Sequence, residues 1–393
     1  MHDLGKSTEA LHADRDLELN NDIAPPIFQS VTQFAEDEEA FVRMASEPLD
    51  DQFYGRYGNR TASRLSQVIA KLEEAETGLL FGSGMGAIST TVLSLIAKGD
   101  HVVAQNNHYI GTTKLLKETL PRFGVEVTMV DQVDIEQFAR AIRPNTKIIV
   151  LETPVNPLLS LTDLEQISSL AKPRGILTLC DNTFATPILQ RPTQFDIDLV
   201  LHSVTKYIGG HHDLIAGCVV GSQELIERIW AMQLVLGSSP GAFNAWLALR
   251  GVRTLDMRVR KQCKTALALA NHLNDHPAIS RVYYPAMPTH PQYDLVQKQM
   301  QGQGGGLLTF ELKGGYEAGV QLLQQLDLVQ NAASLGGIDS LAIQPAVMWG
   351  GSLPPDVLEE QGISPGMIRL SVGLEDIADL IHDFNRALQD ANQ

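Results

Sequence analysis

The sequence predicts an α/β chain with a mostly parallel central sheet, helices on both of its faces, and a smaller α+β region at the C-terminal end. Three observations predict it. Between about residues 61 and 255, short apolar runs (GLLF, HVVAQ, VEVTMV, KIIVLE, ILTLCD, LVLH and GCVV) are bounded by Gly, Pro, Asn or Asp. Runs this short, β-branched and continuously apolar belong to strands buried on both faces. They alternate with helical periods at 61–76, 85–97, 112–123, 134–142 and 162–172. The pattern then changes: a long helical period from about 255 to 275 leads into GLLTFEL, an amphipathic stretch at 315–325, MIRLSVG and a final helix from 375. Residues 1–58 precede all of this with little sustained periodicity, a Pro25-Pro26 pair and the aromatic YGRYGNRT at 54–61, and read as an arm. The expected boundaries are an arm at 1–58, a large domain at 59–256 and a small domain at 257–393.

Composition narrows the function classes. The chain has 393 residues, 44% hydrophobic and 19% charged, enough for two or three domains with a sizeable core. Its formal net charge of −16 disfavours nucleic acid or an anionic membrane as partner, and an anionic ligand would need a local positive site. The first twenty residues carry acids and no apolar h-region, and no stretch reaches the length of a spanning helix. The expected location is therefore cytoplasmic. Cys180, Cys218 and Cys263 are odd in number and lack CxxC spacing, so they are expected to be buried thiols.

In open parallel α/β sheets, ligands sit beyond the carboxyl ends of the strands. Several polar groups fall there: Glu152 to Asn156 after KIIVLE, Asp181 to Thr183 after ILTLCD, Ser203 to Lys206 after LVLH, Tyr109 after HVVAQ, and Gly82 to Gly86 after GLLF. FGSGMGAIS reads as a strand, a glycine turn and a helix starting near Met85, whose free N–H groups can cradle a phosphate; it is neither GxGxxG nor a P-loop. Ser203 and Thr205 can add hydroxyl donors. Asp181 ends a buried strand and needs a partner, either a core cation or a protonated heterocyclic nitrogen. Lys206, in LHSVTKYIGGHHD, has three readings: a solvated charge, part of a metal loop with His202, His211, His212 and Asp213, or a nucleophile. Adjacent histidines do not easily face one metal, which disfavours a metal-dependent hydrolase. A cradle, a strand-end Asp and a later lysine match what pyridoxal phosphate needs: a Schiff-base lysine, a carboxylate that keeps the ring nitrogen protonated, and a phosphate anchor. Tyr109 can stack on the ring and exchange protons, and Asn156 can hydrogen-bond the ring's phenolic oxygen.

Eight motifs in order, APPIFQSVTQF, YGRYGNRT, FGSGMGAI, ETPVNP, DNTFATP, HSVTKYIGGH, SLGGIDSL and IRLSVGLED, make the chain resemble the Cys/Met-metabolism group of pyridoxal-phosphate enzymes along nearly its whole length. That group includes cystathionine γ-synthase, cystathionine γ- and β-lyases, methionine γ-lyase and O-acylhomoserine sulfhydrylases. The resemblance implies an aspartate-aminotransferase-like fold (fold type I) with Lys206 as the Schiff-base residue and Asp181 on the ring nitrogen. It implies Ser203, Thr205, Gly84 and Met85 on the phosphate, with Thr183, Tyr109 and Asn156 also in the cofactor site. Tyr54 and Arg56 are implied to reach the phosphate of a neighbouring subunit, hence a homodimer within a homotetramer. Arg369, helped by Asn156 and Ser334, is implied to clamp the substrate's α-carboxylate.

Three departures bear on the substrate. His108 in HYIGTT stands beside the stacking tyrosine, where a solvent-facing ring is the plain expectation. Asp339 stands where cystathionine-handling relatives commonly carry glutamate, so a bulkier distal cation, guanidino-type included, is conceivable. QPAVMWGG (344–351) replaces the family's usual HPASMTH and puts Trp349 near the expected substrate entrance. The resulting expectation is elimination or replacement at Cγ of a homoserine- or homocysteine-type amino acid, like cystathionine γ-synthase or γ-lyase. A γ-lyase for another cationic C–O or C–S substrate competes closely. Methionine γ-lyase is disfavoured because a neutral thioether leaves Asp339 without a charge partner.

Overall fold

The computed structural model describes residues 4–15, 17, 22–350, 358–359 and 361–390. Residues 1–3, 16 and 18–21 of the expected arm, and Gly351 of QPAVMWGG, lie outside the described residues. The chain divides into two compact units, one of Met1–Glu152 with Leu164–Asp256, the other of Thr153–Asp163 with Met257–Gln393.

The first unit holds seven strands: β1 (Thr77–Phe81), β2 (His101–Gln105), β3 (Glu126–Val130), β4 (Thr146–Glu152), β5 (Leu177–Asp181), β6 (Leu199–His202) and β7 (Gly217–Gly221). Their order is β1-β7-β6-β5-β4-β2-β3, and β7 alone runs against the others. The carboxyl ends of β1, β2, β4, β5 and β6 consequently share one edge. Alternation sorts each strand's side chains to opposite faces. Val102, Ala104, Ile148, Val150 and Leu179 join one buried cluster with Phe81, Ile88 and Leu116. Val103, Ile149, Leu151 and Cys180 join another with Phe138, Leu164 and Ile167. Burial on both faces is why these runs read as continuous rather than alternating.

Residues 1–58 are more structured than their weak periodicity suggests: α1 (Lys6–His12) and α2 (Glu38–Ser46) form there. The local reason for α2 is legible afterwards, since Asp37 caps it by accepting from the Ala40 N–H and Glu38 and Glu39 suit its positive end. α1 leads to buried Asp14, ion-paired to Arg64 at 2.9 Å and to Arg253 at 3.0 Å. Burial works to raise the Asp14 carboxyl, but the two arginines outweigh it and hold it below its ordinary range. Two further helices frame the site, α3 (Arg60–Glu73) and α4 (Gly84–Leu95).

The second unit is a five-stranded sheet in the order β10-β11-β12-β9-β8. Its strands are β8 (Ile279–Tyr283), β9 (Leu307–Leu312), β10 (Gln330–Asn331), β11 (Leu341–Ile343) and β12 (Met367–Ser371). Leu308, Phe310, Ile368 and Leu370 face a core with Leu322, Leu380 and Phe384. Alternation therefore turns Thr309 and Arg369 to the other face, toward the Thr153–Asp163 segment: Thr309 Oγ1 donates to the Pro157 carbonyl at 2.7 Å. Trp349 packs against Leu358, Ile363, Met367, Leu158 and Tyr283. Its half-buried ring so rests on a small apolar cluster.

Candidate active site

The ends of β4, β5 and β6 stand side by side, with Glu152 paired to Asp181 and Asp181 to Leu201 in the ladder. Thr183 ties the β5 and β6 ends together. Its N–H and its hydroxyl both donate to Asp181 Oδ1, at 3.0 and 2.5 Å, and its hydroxyl oxygen accepts the Ser203 N–H at 2.8 Å. Both bonds that orient Asp181 thus fall on one oxygen. Burial pushes the Asp181 carboxyl up, while the Thr183 donors and the nearby His202 pull it down. A protonated ring nitrogen is the kind of cation that would complete such a site.

The glycine turn forms as the sequence suggests. Ser83 caps α4 by accepting the Gly86 N–H at 2.9 Å, and the helix ladder begins with the Ala87 N–H on the Ser83 carbonyl. The amides of Gly84 and Met85 are then among the orphan donors of a helix start, the arrangement that binds anions. Gly84 is needed for closeness: a Cβ there would lie 3.0 Å from Ser203 Oγ. The turn and the β6 loop so meet at the same point. In that loop the Lys206 N–H donates to the Ser203 carbonyl at 3.0 Å and the Gly210 N–H to the Lys206 carbonyl at 2.7 Å, which closes a tight turn around half-buried Lys206. Thr205 is less available than expected. Its hydroxyl donates to the Ala216 carbonyl and accepts the Ala216 N–H, both at 3.1 Å.

Tyr109 follows β2 with its side chain half exposed, and its N–H donates to Glu152 Oε2 at 2.7 Å. A Cβ on Gly111 would meet both Met85 Sδ and the Tyr109 ring, so the tyrosine lies over the helix start. His108 corrects the expectation of a solvent-facing ring. It is buried, its Nδ1 lies 3.9 Å from Glu152 Oε2, and burial drives its pKa down to about 3, so the imidazole is neutral.

Tyr54 and Arg56 are exposed. The Arg56 guanidinium lies over the Tyr54 and Tyr57 rings and donates to the Leu234 carbonyl at 3.0 Å. Among the described residues no group of three His, Cys, Asp or Glu could hold a metal, and His211 Nδ1 instead bonds the Gly209 carbonyl. The three cysteines are free and buried, as expected.

The small unit carries its own polar cluster. Arg369 is only 3% exposed; it donates to the Ser334 carbonyl at 2.7 Å and to Asn156 Oδ1 at 3.4 Å. Ser334 has φ +89°, a left-handed conformation that favours glycine and that a non-glycine residue holds only at some cost. Asp339 is exposed.

One group was missed entirely. Glu73, fully buried at the end of α3, accepts from His202 Nε2 and Asn182 Nδ2, each at 2.7 Å and each on Oε1. The signal was available: Leu65, Ile69 and Glu73 recur every fourth residue along the buried face of α3, which places an acid on an apolar stripe. Glu73, Asp181 and Glu152 gather at one sheet end, and after burial itself their charges push the Cys180 thiol well above its ordinary range.

The glycine cradle whose Cβ space is taken by Ser203, the half-satisfied strand-end Asp181 and the lysine turn between them fit pyridoxal phosphate. Comparison with known proteins points the same way. The chain is 41% identical over 388 residues to an L-methionine γ-lyase of Fusobacterium nucleatum subsp. nucleatum, covering 98% of both chains. It is 43% identical over 338 residues to cystathionine β-lyase MetC of Bacillus subtilis (strain 168), covering 86% of both. The crystal structure of metB from Corynebacterium glutamicum superposes with a TM-score of 0.91 at 37% identity over 98% of both chains. The family model described as Cys/Met metabolism PLP-dependent enzyme matches residues 7–389, and the chain belongs to that family.

Proposed function

We propose that the chain catalyses elimination or replacement at Cγ of a homoserine- or homocysteine-type amino acid, in the manner of cystathionine γ-synthase and γ-lyase. The observation that most supports this reading is the meeting of three loops at one point: Thr183 ties Asp181 to Ser203, and the Gly84 turn closes on Ser203. When bound, pyridoxal phosphate supplies an electron sink for charge developing at the substrate's Cα. The chain's own groups do the rest. Lys206 would carry the cofactor, and its free amine would take the Cα proton. Asp181 would hold the ring nitrogen and Gly84, Met85 and Ser203 the phosphate, with the Thr205 hydroxyl joining them only by leaving the Ala216 carbonyl; Thr183 orients Asp181; Tyr109 would stack on the ring and donate a proton to the group leaving Cγ. Arg369 takes the substrate's α-carboxylate with Asn156 and Ser334 beside it, the local positive site that an acidic protein requires.

We further read the protein as a homodimer within a tetramer, located in the cytoplasm. Ile23, Val31, Phe34, Phe41 and Val42 are 92, 57, 89, 54 and 63% exposed, more apolar surface than an isolated segment usually leaves in water. Exposed Tyr54 and Arg56 lie just beyond them in sequence, and Arg56 has donors besides the one given to Leu234 for a partner's phosphate.

Asp339 decides the finer substrate. Its exposure favours a second reading, because a solvated carboxylate needs no charge partner and so does not count against methionine. A panel of cystathionine, methionine, homocysteine, O-acylhomoserine with cysteine, and an amino acid ending in a guanidino-type cation separates the two by release of 2-oxo acid or thioether. Asp339→Asn is expected to raise KM for the cationic substrates about twofold to fivefold and leave methionine unchanged. An equal loss on both would refute a charge-reading role for Asp339.

A further inference from the structure

Glu73 is a titratable group that none of the steps above uses, and it sits where the cofactor's two ends are held. Its Oε1 accepts from Asn182, the residue after Asp181, and from His202, the residue before Ser203. The Asn182 amide also donates to the Gln190 carbonyl, and Gln190 donates back to Asn182 Oδ1, both at 2.9 Å. Thr193 donates its hydroxyl to the Glu73 carbonyl, which pins the end of α3 from the other side. Glu73 and His202 are 0 and 1% exposed. A buried carboxylate costs several kcal/mol unless well partnered, so a bland filler would not be an acid.

We propose that Glu73 is a positioning residue: one carboxylate oxygen, bridging the ends of β5 and β6, sets the span between the group that holds the cofactor's ring nitrogen and the group that holds its phosphate. The inference rests on the reading of Asp181 and Ser203 as those two holders. Thr183 ties the same two residues from the ligand side. Glu73 ties their chain neighbours, Asn182 and His202, so the two strand ends are held at two points. A glutamine keeps an acceptor oxygen at this position, whereas an alanine removes the bridge.

The test uses the full-length chain stripped of cofactor and three probes: pyridoxal phosphate, which engages both holders, pyridoxal, which lacks the phosphate, and inorganic phosphate alone. Wild-type uptake of pyridoxal phosphate measures the function reading by itself; the ratio of variant to wild type measures the bridge. Glu73→Ala is expected to weaken pyridoxal phosphate about tenfold, the scale of one charge-assisted hydrogen bond, and to leave pyridoxal and phosphate within about twofold. Glu73→Gln is expected to restore most of the loss. Should Glu73→Ala fail to fold, His202→Leu, which removes one arm of the bridge, is put through the same three titrations with the same expected pattern. Equal weakening of all three probes, or unchanged affinity for pyridoxal phosphate in a folded variant, overturns the proposal.

Discussion

The carboxyl edge of the large sheet and the Arg369 face of the small sheet answer opposite electrostatic problems. On the large sheet Glu73, Glu152 and Asp181 gather acids at strand ends, held by a threonine, an asparagine, an amide N–H and the His202 ring. On the small sheet a single buried guanidinium is held by a backbone carbonyl and a side-chain amide oxygen. The first region is built for a ligand end that is cationic, the second for one that is anionic.

That contrast can be broken from either side. Arg369→Ala removes a buried charge-assisted contact and is expected to lower kcat/KM by about a hundredfold, with cofactor binding unchanged, since truncating one partner of such a contact costs about 2–5 kcal/mol. Steady-state kinetics beside a cofactor titration check it; a loss confined to cofactor affinity would break the assignment of the two regions. A smaller effect sharpens the acidic side. The neutral His108 has a pKa of about 3 in the fold against an ordinary value of 6.5. Its folded-state value is depressed, so as pH falls below 6.5 the unfolded chain takes a proton that the folded chain refuses, and stability is lost down to about pH 3. His108→Leu is expected to flatten the dependence of melting temperature on pH between 7 and 4, removing a slope of up to about 1.4 kcal/mol per pH unit. Parallel curves for the two proteins would show that His108 titrates normally.

Much of the large unit was legible in the sequence because parallel strands advertise themselves. HVVAQ and LVLH coincide with β2 and β6, and the polar residues just past such runs land at one edge by topology alone. The small sheet was harder. β11 has three residues, too few for a period, and β8 (ISRVY) has exposed residues in its middle. Glu73 escaped because adjacent acids at a helix end, AKLEEAE, look like a solvated terminus, and only the phase with Leu65 and Ile69 distinguishes the buried one. His108 escaped for the opposite reason: a polar ring in a loop suggests water, and its burial comes from tertiary packing that no local pattern encodes. The role of the arginine in MIRLSVG was named only through resemblance: alternation with Ile368 and Leu370 turns Arg369 from their core, but no local pattern says that the face it turns to is buried beside Asn156 and Ser334.

Every role proposed for the large sheet's edge depends on Lys206 being the residue to which the cofactor is joined. Borohydride reduction of the purified protein with added pyridoxal phosphate, followed by peptide mass mapping and a visible spectrum, reads this directly. The wild-type protein is expected to be yellow, with the added mass on the peptide containing Lys206, and a Lys206→Ala variant is expected to show neither. A colourless wild type, or a reduced cofactor found on another lysine, would contradict that role.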